Sequence, residues 1–465
     1  MKPFDWRWLA ISSLVVAALA ADAETRPQYG GILRMTMRAT PVSLDPADSA
    51  QPESFAQRNL TMQIFDTLVT LDENGKPHSS LAESWQTAPG NGRVQFRVRP
   101  GIMFHDGTPL TAEAVVASLR TANPTWNVSV EAESVVIEAD SSESELLAEL
   151  ALPRNAIAKR NDKDKPAGTG PFRIENWQPG KNLTLVADEN CWRGRPFLDE
   201  IDIEMGRSFR DQMTALELGK ANLVEVAPEQ THRISLEGRR LASSAPVELL
   251  ALVFCRDAAS PEEKMLRDAL ALSMERESMR TVLLQGAGQP AASILPNWMS
   301  GYAFVFSTEV DLAKARQLQE QVTKVPTWTV GYDAGDPLDH HLAERIALNA
   351  KDAGLSLQPT SAMEPDLRLV RIPLASLDPW VALVQVAESV AVPIVKARMV
   401  KERNDKSDLI EDLYATELRL LATERIIPLF HLPVSYASPL ALKNWTLGSD
   451  GRLELGNAWL ESPKP

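Results

Sequence analysis

Cysteine is almost absent from this 465-residue chain: only Cys191 and Cys255 occur. A disulfide-stapled scaffold and a cysteine-built metal site are therefore excluded. Cys191 sits in Asn190-Cys191-Trp192 and Cys255 in Phe254-Cys255-Arg256, so one disulfide or two buried thiols are both open. Histidine is also scarce, with six residues, none near a Ser or Cys at a catalytic spacing. No Gly-x-Ser-x-Gly, His-Glu-x-x-His or P-loop run is present. Gly286-Ala287-Gly288 lacks a following Lys and helix, which argues against a phosphate cradle. Positive charge is in deficit: the formal net charge is −14, which disfavours nucleic acid and anionic membrane surfaces as partners. No internal repeat or low-complexity block stands out.

One apolar run exists, Trp8 to Ala20, and it is too short to span a bilayer. Lys2 and Arg7 precede it and Ala18-Leu19-Ala20 closes it, the pattern of a cleaved export signal over residues 1–20. An uncleaved anchor is the rival reading. No Cys follows the run, so a lipid anchor is not expected, and the periplasm is the expected location.

The apolar fraction of 44% supports well-formed cores, and the length calls for two or three domains. The stretch Leu81–Leu119 carries the sharpest local signals. Val94, Phe96 and Val98 alternate with Gln95, Arg97 and Arg99, a strand with one buried face. Asp106-Gly107 is a turn, Thr111 a helix cap and Glu113 a favourable first-turn acid. His105 and Asp106 read as turn residues and not as an acid–base pair. Further strands are predicted over Gly31–Met37, Ser134–Ala139, Phe172–Trp177 and Leu183–Ala187. Helices are predicted over Phe55–Leu68 and Leu146–Leu152.

Later in the chain, Ser260-Pro261-Glu262-Glu263 starts a helix expected to run to about Leu284. Helices Val310–Gln321 and Leu338–Ala353 are each followed by a strand, Thr327–Tyr332 and Leu355–Gln358. That alternation argues for an α/β domain. A helix Asp408–Glu424 and short strands Arg425–Leu432 and Leu453–Trp459 complete the prediction.

The Leu81–Leu119 segment closely resembles the signature of the family 5 extracellular solute-binding proteins, receptors of peptide and nickel ABC importers. Ordered matches run through most of the chain. They include Gly30-Gly31-Ile32-Leu33, Ser43-Leu44-Asp45-Pro46, Phe65-Asp66-Thr67-Leu68-Val69, Gly168 to Phe172, Asn190 to Pro196 and Ile427-Pro428-Leu429. Cys191 stands where the family usually has Tyr. The resemblance implies a mixed α/β, two-lobed fold of the periplasmic-binding-protein type (class II), with an extra subdomain in the first lobe and a ligand cleft between lobes. Lobe I would take 28–50, 167–246 and 432–465, the subdomain 51–166, and lobe II 247–431, with the chain crossing near Leu249–Cys255 and Ile427–Pro433.

The implied function is capture of a small solute, most simply a short peptide, and its delivery to an ABC permease by a monomer without cofactor or catalysis. A binding or sensor protein for a non-peptide solute (amine, sugar or metal complex), without a direct transport role, is the alternative. Family peptide receptors hold the peptide amino group on an Asp near Leu377-Asp378-Pro379-Trp380, but the flanking Pro373-Leu374-Ala375-Ser376 departs from the usual polar run. Candidate ligand contacts are Asp378, Trp380, Trp298, Tyr332, Gln51 and Phe55. Each also has a packing or capping explanation. His340 and His341 lie near Glu344, and helical spacing puts His340 and Glu344 on one face, yet without an evident third ligand no metal site is expected.

Overall fold

The computed structural model describes residues 26–48, 50, 54–87, 92–139, 141–160, 165–302, 305–374, 376–393 and 406–461. Residues 1–20, expected to be an export signal, and Gln51 lie outside them. One eleven-stranded mixed sheet runs through the molecule. Its centre is two long antiparallel strands, Arg240–Phe254 and Ile426–Ser438. Sequence reasoning placed only a short strand at Arg425–Leu432 and left the N-terminal part of the first long strand unassigned.

These two strands carry both halves of the sheet. On one side of them follow Leu223–Glu225, Ile32–Thr36, Glu200–Glu204, Asn182–Ala187 and Phe172–Gln178. On the other side lie Leu367–Pro373, Thr327–Gly331 and Ser356–Thr360. Midway, Pro246 faces Pro433, and the register shifts on both sides of that pair. Proline has no N–H to give the ladder, so the sheet is least tied where the two halves meet.

The second half shows why its central strand is a near-continuous apolar run. Leu250, Leu252 and Phe254 point to one face, into a core with Leu270, Leu342 and Phe430. Leu249 and Ala251 point to the other, into a core with Leu295, Leu383 and Val386. Both faces are covered, so period-two alternation of polarity is lost. The first half packs Leu33, Phe65, Phe172, Tyr436 and Trp445 together.

A separate four-stranded sheet, in the order Ala82–Thr87, Arg93–Val98, Ser134–Glu138, Asn127–Glu131, has its own core. Val94 and Phe96 are buried there, while Arg97 turns out to pair with Glu83 at 2.7 Å. Thr111 accepts from the Ala114 amide and opens the helix Ala112–Ala122. Gly107 closes the preceding turn at φ +79°, Asp106 is paired with Lys159, and His105 is held by Gly170 O and Gly168 N. These are turn contacts, as the residue types implied.

Several expected boundaries move. The helix from Phe55 stops at Ile64, since Phe65 is extended. The backbone of Gly168 and Gly170 lies against that helix end, and a Cβ on Gly168 would sit 2.0 Å from Ile64 O. The helix capped by Ser260 stops at Leu272, and a second one spans Arg276–Val282. Leu453–Glu454 and Trp459–Leu460 are two separate short strands. The helix Pro379–Ser389 was not anticipated. Cys191 is buried and Cys255 exposed, and both are free thiols. No helix among the described residues is long and apolar enough to cross a membrane.

Candidate functional site

A cavity of about 810 Å³ opens between the two halves of the molecule. One wall comes from the loop Pro46–Asp48, the Phe55 helix through Gln57, Arg58 and Thr61, and Asn123 and Arg154 beside the four-stranded sheet. The other wall comes from Val370 to Pro373 and from Gln385, Glu388, Ser389 and Val390 at the end of the Pro379 helix. That volume and mix of apolar and polar lining suit a small-molecule site.

Charges of both signs line it: Arg58, Arg154 and Arg371 against Asp48 and Glu388. Arg154 reaches across to Glu388 at 3.5 Å while also gripping Glu149 on its own side. Val381 packs on Ala148 and Leu152 nearby, an apolar contact between the same two walls.

A second cavity, about 310 Å³, lies on the other side of Arg371 and is lined by Arg38, Phe55, Glu225, Glu248 and Asp333. Here Arg38 stacks over Phe209 at 4.5 Å and pairs across the gap with Asp333 (2.8 Å) and Asp336 (3.2 Å). Arg371 is surrounded by Asp339 (3.1 Å), Asp336 (3.4 Å) and Glu248 (3.5 Å). Burial works against the Arg371 charge, but Asp339, Glu248 and Asp336 outweigh it and raise its pKa. Burial pushes the Asp339 carboxyl up to about 6, with Arg371 pulling it down and Asp336 adding to the rise. Burial also raises Glu225, against the hydrogen bonds it accepts from Gln212 and the Arg38 amide.

The anticipated contacts are dispersed. Asp378 is the N-cap of the Pro379 helix, and its Oδ1 accepts from the amides of Trp380 and Val381, both at 3.0 Å. Burial raises its pKa, and those two amides hold the rise back. Trp380 packs beside the core of Leu374 and Leu383. Trp298 is 43% exposed, and its Nε1 donates to Pro246 O at 3.3 Å beside the crossing strands. Tyr332 stacks on His340 with 4.9 Å between ring centroids. None of these four lines the larger cavity. Phe55 is buried and borders the smaller one, with Arg58 over its ring. His340, His341 and Glu344 do converge, with ligand atoms within 4.8 Å of one another on an exposed helix face.

The capping geometry fixes what the Asp378→Ala substitution should do. Stability is expected to fall by about 1 kcal/mol, the usual worth of an N-cap, read as a shift in the urea midpoint. A loss below a few tenths would show the cap to be idle.

Arg58, Arg154, Arg371, Gln385 and Glu388 escaped sequence reasoning, because they come from four distant segments. One signal was available: Gln385 is the lone polar residue in the run Val381–Ala387.

Residues 76–368 match the model of the bacterial extracellular solute-binding proteins, family 5 (middle region), more than half of the chain. The chain belongs to this family. A nickel-binding protein, NikA of Staphylococcus aureus, is 25% identical over 243 residues, 49% of each chain. The probable D,D-dipeptide-binding periplasmic protein DdpA of Escherichia coli is 23% identical over 333 residues, 64% of each. The chain thus spans about half to just under two thirds of the curated relatives it matches. Among solved structures, the periplasmic binding protein DppA of Helicobacter pylori, in complex with a peptide, superposes with a TM-score of 0.80 at 18% identity. That match covers 95% of this family 5 chain and 100% of the other. The likeness establishes a mixed α/β fold of the periplasmic-binding-protein type.

Proposed function

We propose that this family 5 protein is the receptor of an ABC importer, closing on a small solute and handing it to a membrane permease. The observation that carries the reading is the 810 Å³ cavity whose walls come from both halves of the molecule, tied across by Arg154–Glu388. A solute there touches both halves at once, so binding favours the closed arrangement by its differential contacts. Lobe boundaries at 28–50, 167–246 and 432–465 against 247–431, with 51–166 as a subdomain, put the Pro246–Pro433 pair at the hinge. The protein acts by binding and not by turnover, as the family description and the lack of a catalytic constellation in the sequence suggest. We place it in the periplasm as a monomer, with residues 1–20 as its export signal. N-terminal sequencing of exported protein should then begin near Ala21.

A short peptide is the first candidate, since opposite charges on facing walls suit a zwitterion. A non-peptide solute is the second reading, favoured by Asp378 spending its carboxylate on a helix cap. Mass spectrometry of solute released from protein purified from its native host separates the two. A peptide supports the first and a single metabolite the second. Purified protein should also gain thermal stability with that solute, by about 2.7 kcal/mol at a hundredfold excess over Kd. If nothing is released, and no peptide, amine, sugar or metal complex shifts the melting midpoint, the receptor reading fails.

A further inference from the structure

We infer that His340, His341 and Glu344 form a surface site for a divalent transition metal of the zinc type, apart from the solute cavity. The helix Pro337–Asp352 buries Leu338, Leu342 and Ile346 in the core of the second half, which turns His341 and Glu344 outward. Glu344 follows His340 by four residues and His341 by three, so both imidazoles are its neighbours on the helix surface. Its side chain leans back over the preceding turn, where they stand. One carboxylate oxygen is 3.5 Å from His340 Nε2 and the other is 3.5 Å from His341 Nδ1. A ligand atom from each residue falls within 4.8 Å of the other two. A tetrahedral zinc with bonds of about 2.1 Å needs ligand atoms about 3.4 Å apart, so small rotamer changes close the three on an ion.

The imidazoles are oriented by their own neighbours. Tyr332, which ends the strand Thr327–Gly331, stacks on His340 with 4.9 Å between ring centroids, and His340 stacks on His341 at 5.7 Å. The carboxylate is not spent elsewhere. The adjacent Arg345 pairs with Glu275, and among the described residues only the two histidines lie within ion-pair distance of Glu344. Two imidazole nitrogens and one carboxylate oxygen are a zinc donor set, with a fourth position left for water. Calcium and magnesium take oxygen ligands and are disfavoured here. None of the three residues lines either cavity, so an ion on this face leaves the solute cavity free.

Zinc chloride titrated calorimetrically into the untagged intact chain tests the site. Wild type is expected to take up zinc in a saturable step. His341→Ala and Glu344→Gln change side chains that are 61% and 55% exposed, so both should melt as wild type does without metal. His340→Phe keeps a ring against Tyr332 and removes the nitrogens. Each substitution should weaken zinc binding at least about tenfold, the loss of one ligand in three. Zinc should also shift the imidazole nuclear magnetic resonance signals of His340 and His341 ahead of those of the other four histidines. Wild-type isotherms in all three variants would place the zinc on other surface groups and overturn the inference. So would no uptake by wild type, or resonance shifts confined to other histidines. Binding that survives His340→Phe but not the other two substitutions leaves only a two-ligand contact and also overturns it. None of these outcomes touches the receptor reading, which rests on the cavity.

Discussion

Replacing Arg371 by leucine is expected to cost about 3–5 kcal/mol at neutral pH, the penalty for removing one side of a buried ion pair. Asp336, Asp339 and Glu248 would be left facing one another with little water to solvate them; Asp336 and Asp339 are only 3% and 5% exposed. The loss should depend on pH in a defined direction. Asp339 titrates near 6 in the folded protein, above the ordinary value for aspartate. A raised carboxyl contributes stability that is complete below the unfolded pKa and is lost as pH rises through the folded one. Without Arg371 the Asp339 pKa climbs further, so the deficit should be largest at pH 7 and shrink towards pH 5.

Lysine at this position should recover only part of the loss, because an ammonium cannot reach three carboxylates as a planar guanidinium does. The measurement is the unfolding midpoint of wild type, Arg371→Leu and Arg371→Lys at both pH values. A deficit below about 1 kcal/mol, the scale of a solvent-screened surface pair, would mean that water reaches the cluster.

Acid should act on the molecule through His431. This residue lies on the crossing strand Ile426–Ser438, 3% exposed, and its ring Nε2 is 3.0 Å from Ile294 O. A carbonyl can only accept, so Nε2 carries the proton and donates. Burial pushes the His431 pKa down to about 4, with the Ile294 bond opposing. For a group depressed in this way, the folded state binds fewer protons than the unfolded one between about pH 4 and 6.5. The stabilisation is complete above 6.5 and lost as pH falls to 4. The shift corresponds to about 3 kcal/mol.

His431→Gln removes that titration. The variant is expected to be less stable than wild type at pH 7, by about 1–2 kcal/mol from imperfect packing and a weaker bond to Ile294 O. It should draw level and then overtake wild type as the pH falls towards 4. Carboxyls with raised pKa, such as Asp339 and Glu225, are common to both proteins and cancel in the comparison. Parallel melting curves across that pH range would show that His431 is not buried in its neutral form.

The local elements were legible because their causes are local. Thr111 caps its helix through the amide three residues on, and Val94 and Phe96 alternate into one core. The helix Pro379–Ser389 was missed although its cap, Asp378-Pro379, stands in plain view. Asp-Pro signals a turn as readily as a helix start, and the following Val-rich stretch lacks a polar face. The length of the two crossing strands was missed too. Apolar burial on both faces erases alternation in Arg240–Phe254, and prolines at 246 and 433 read as strand ends.

The sequence by itself determined the family, through ordered motifs, and with it a mixed α/β fold of the periplasmic-binding-protein type. It also settled the turns, caps and single-faced strands, all set by neighbours within a few residues. Only the tertiary structure decided which side chains meet in the cavity. Arg154 and Glu388 are separated by 234 positions, and Arg38 and Asp333 by 295. Such pairs are brought together by the crossing strands and the packing of two cores, and no local periodicity records which residue faces the gap.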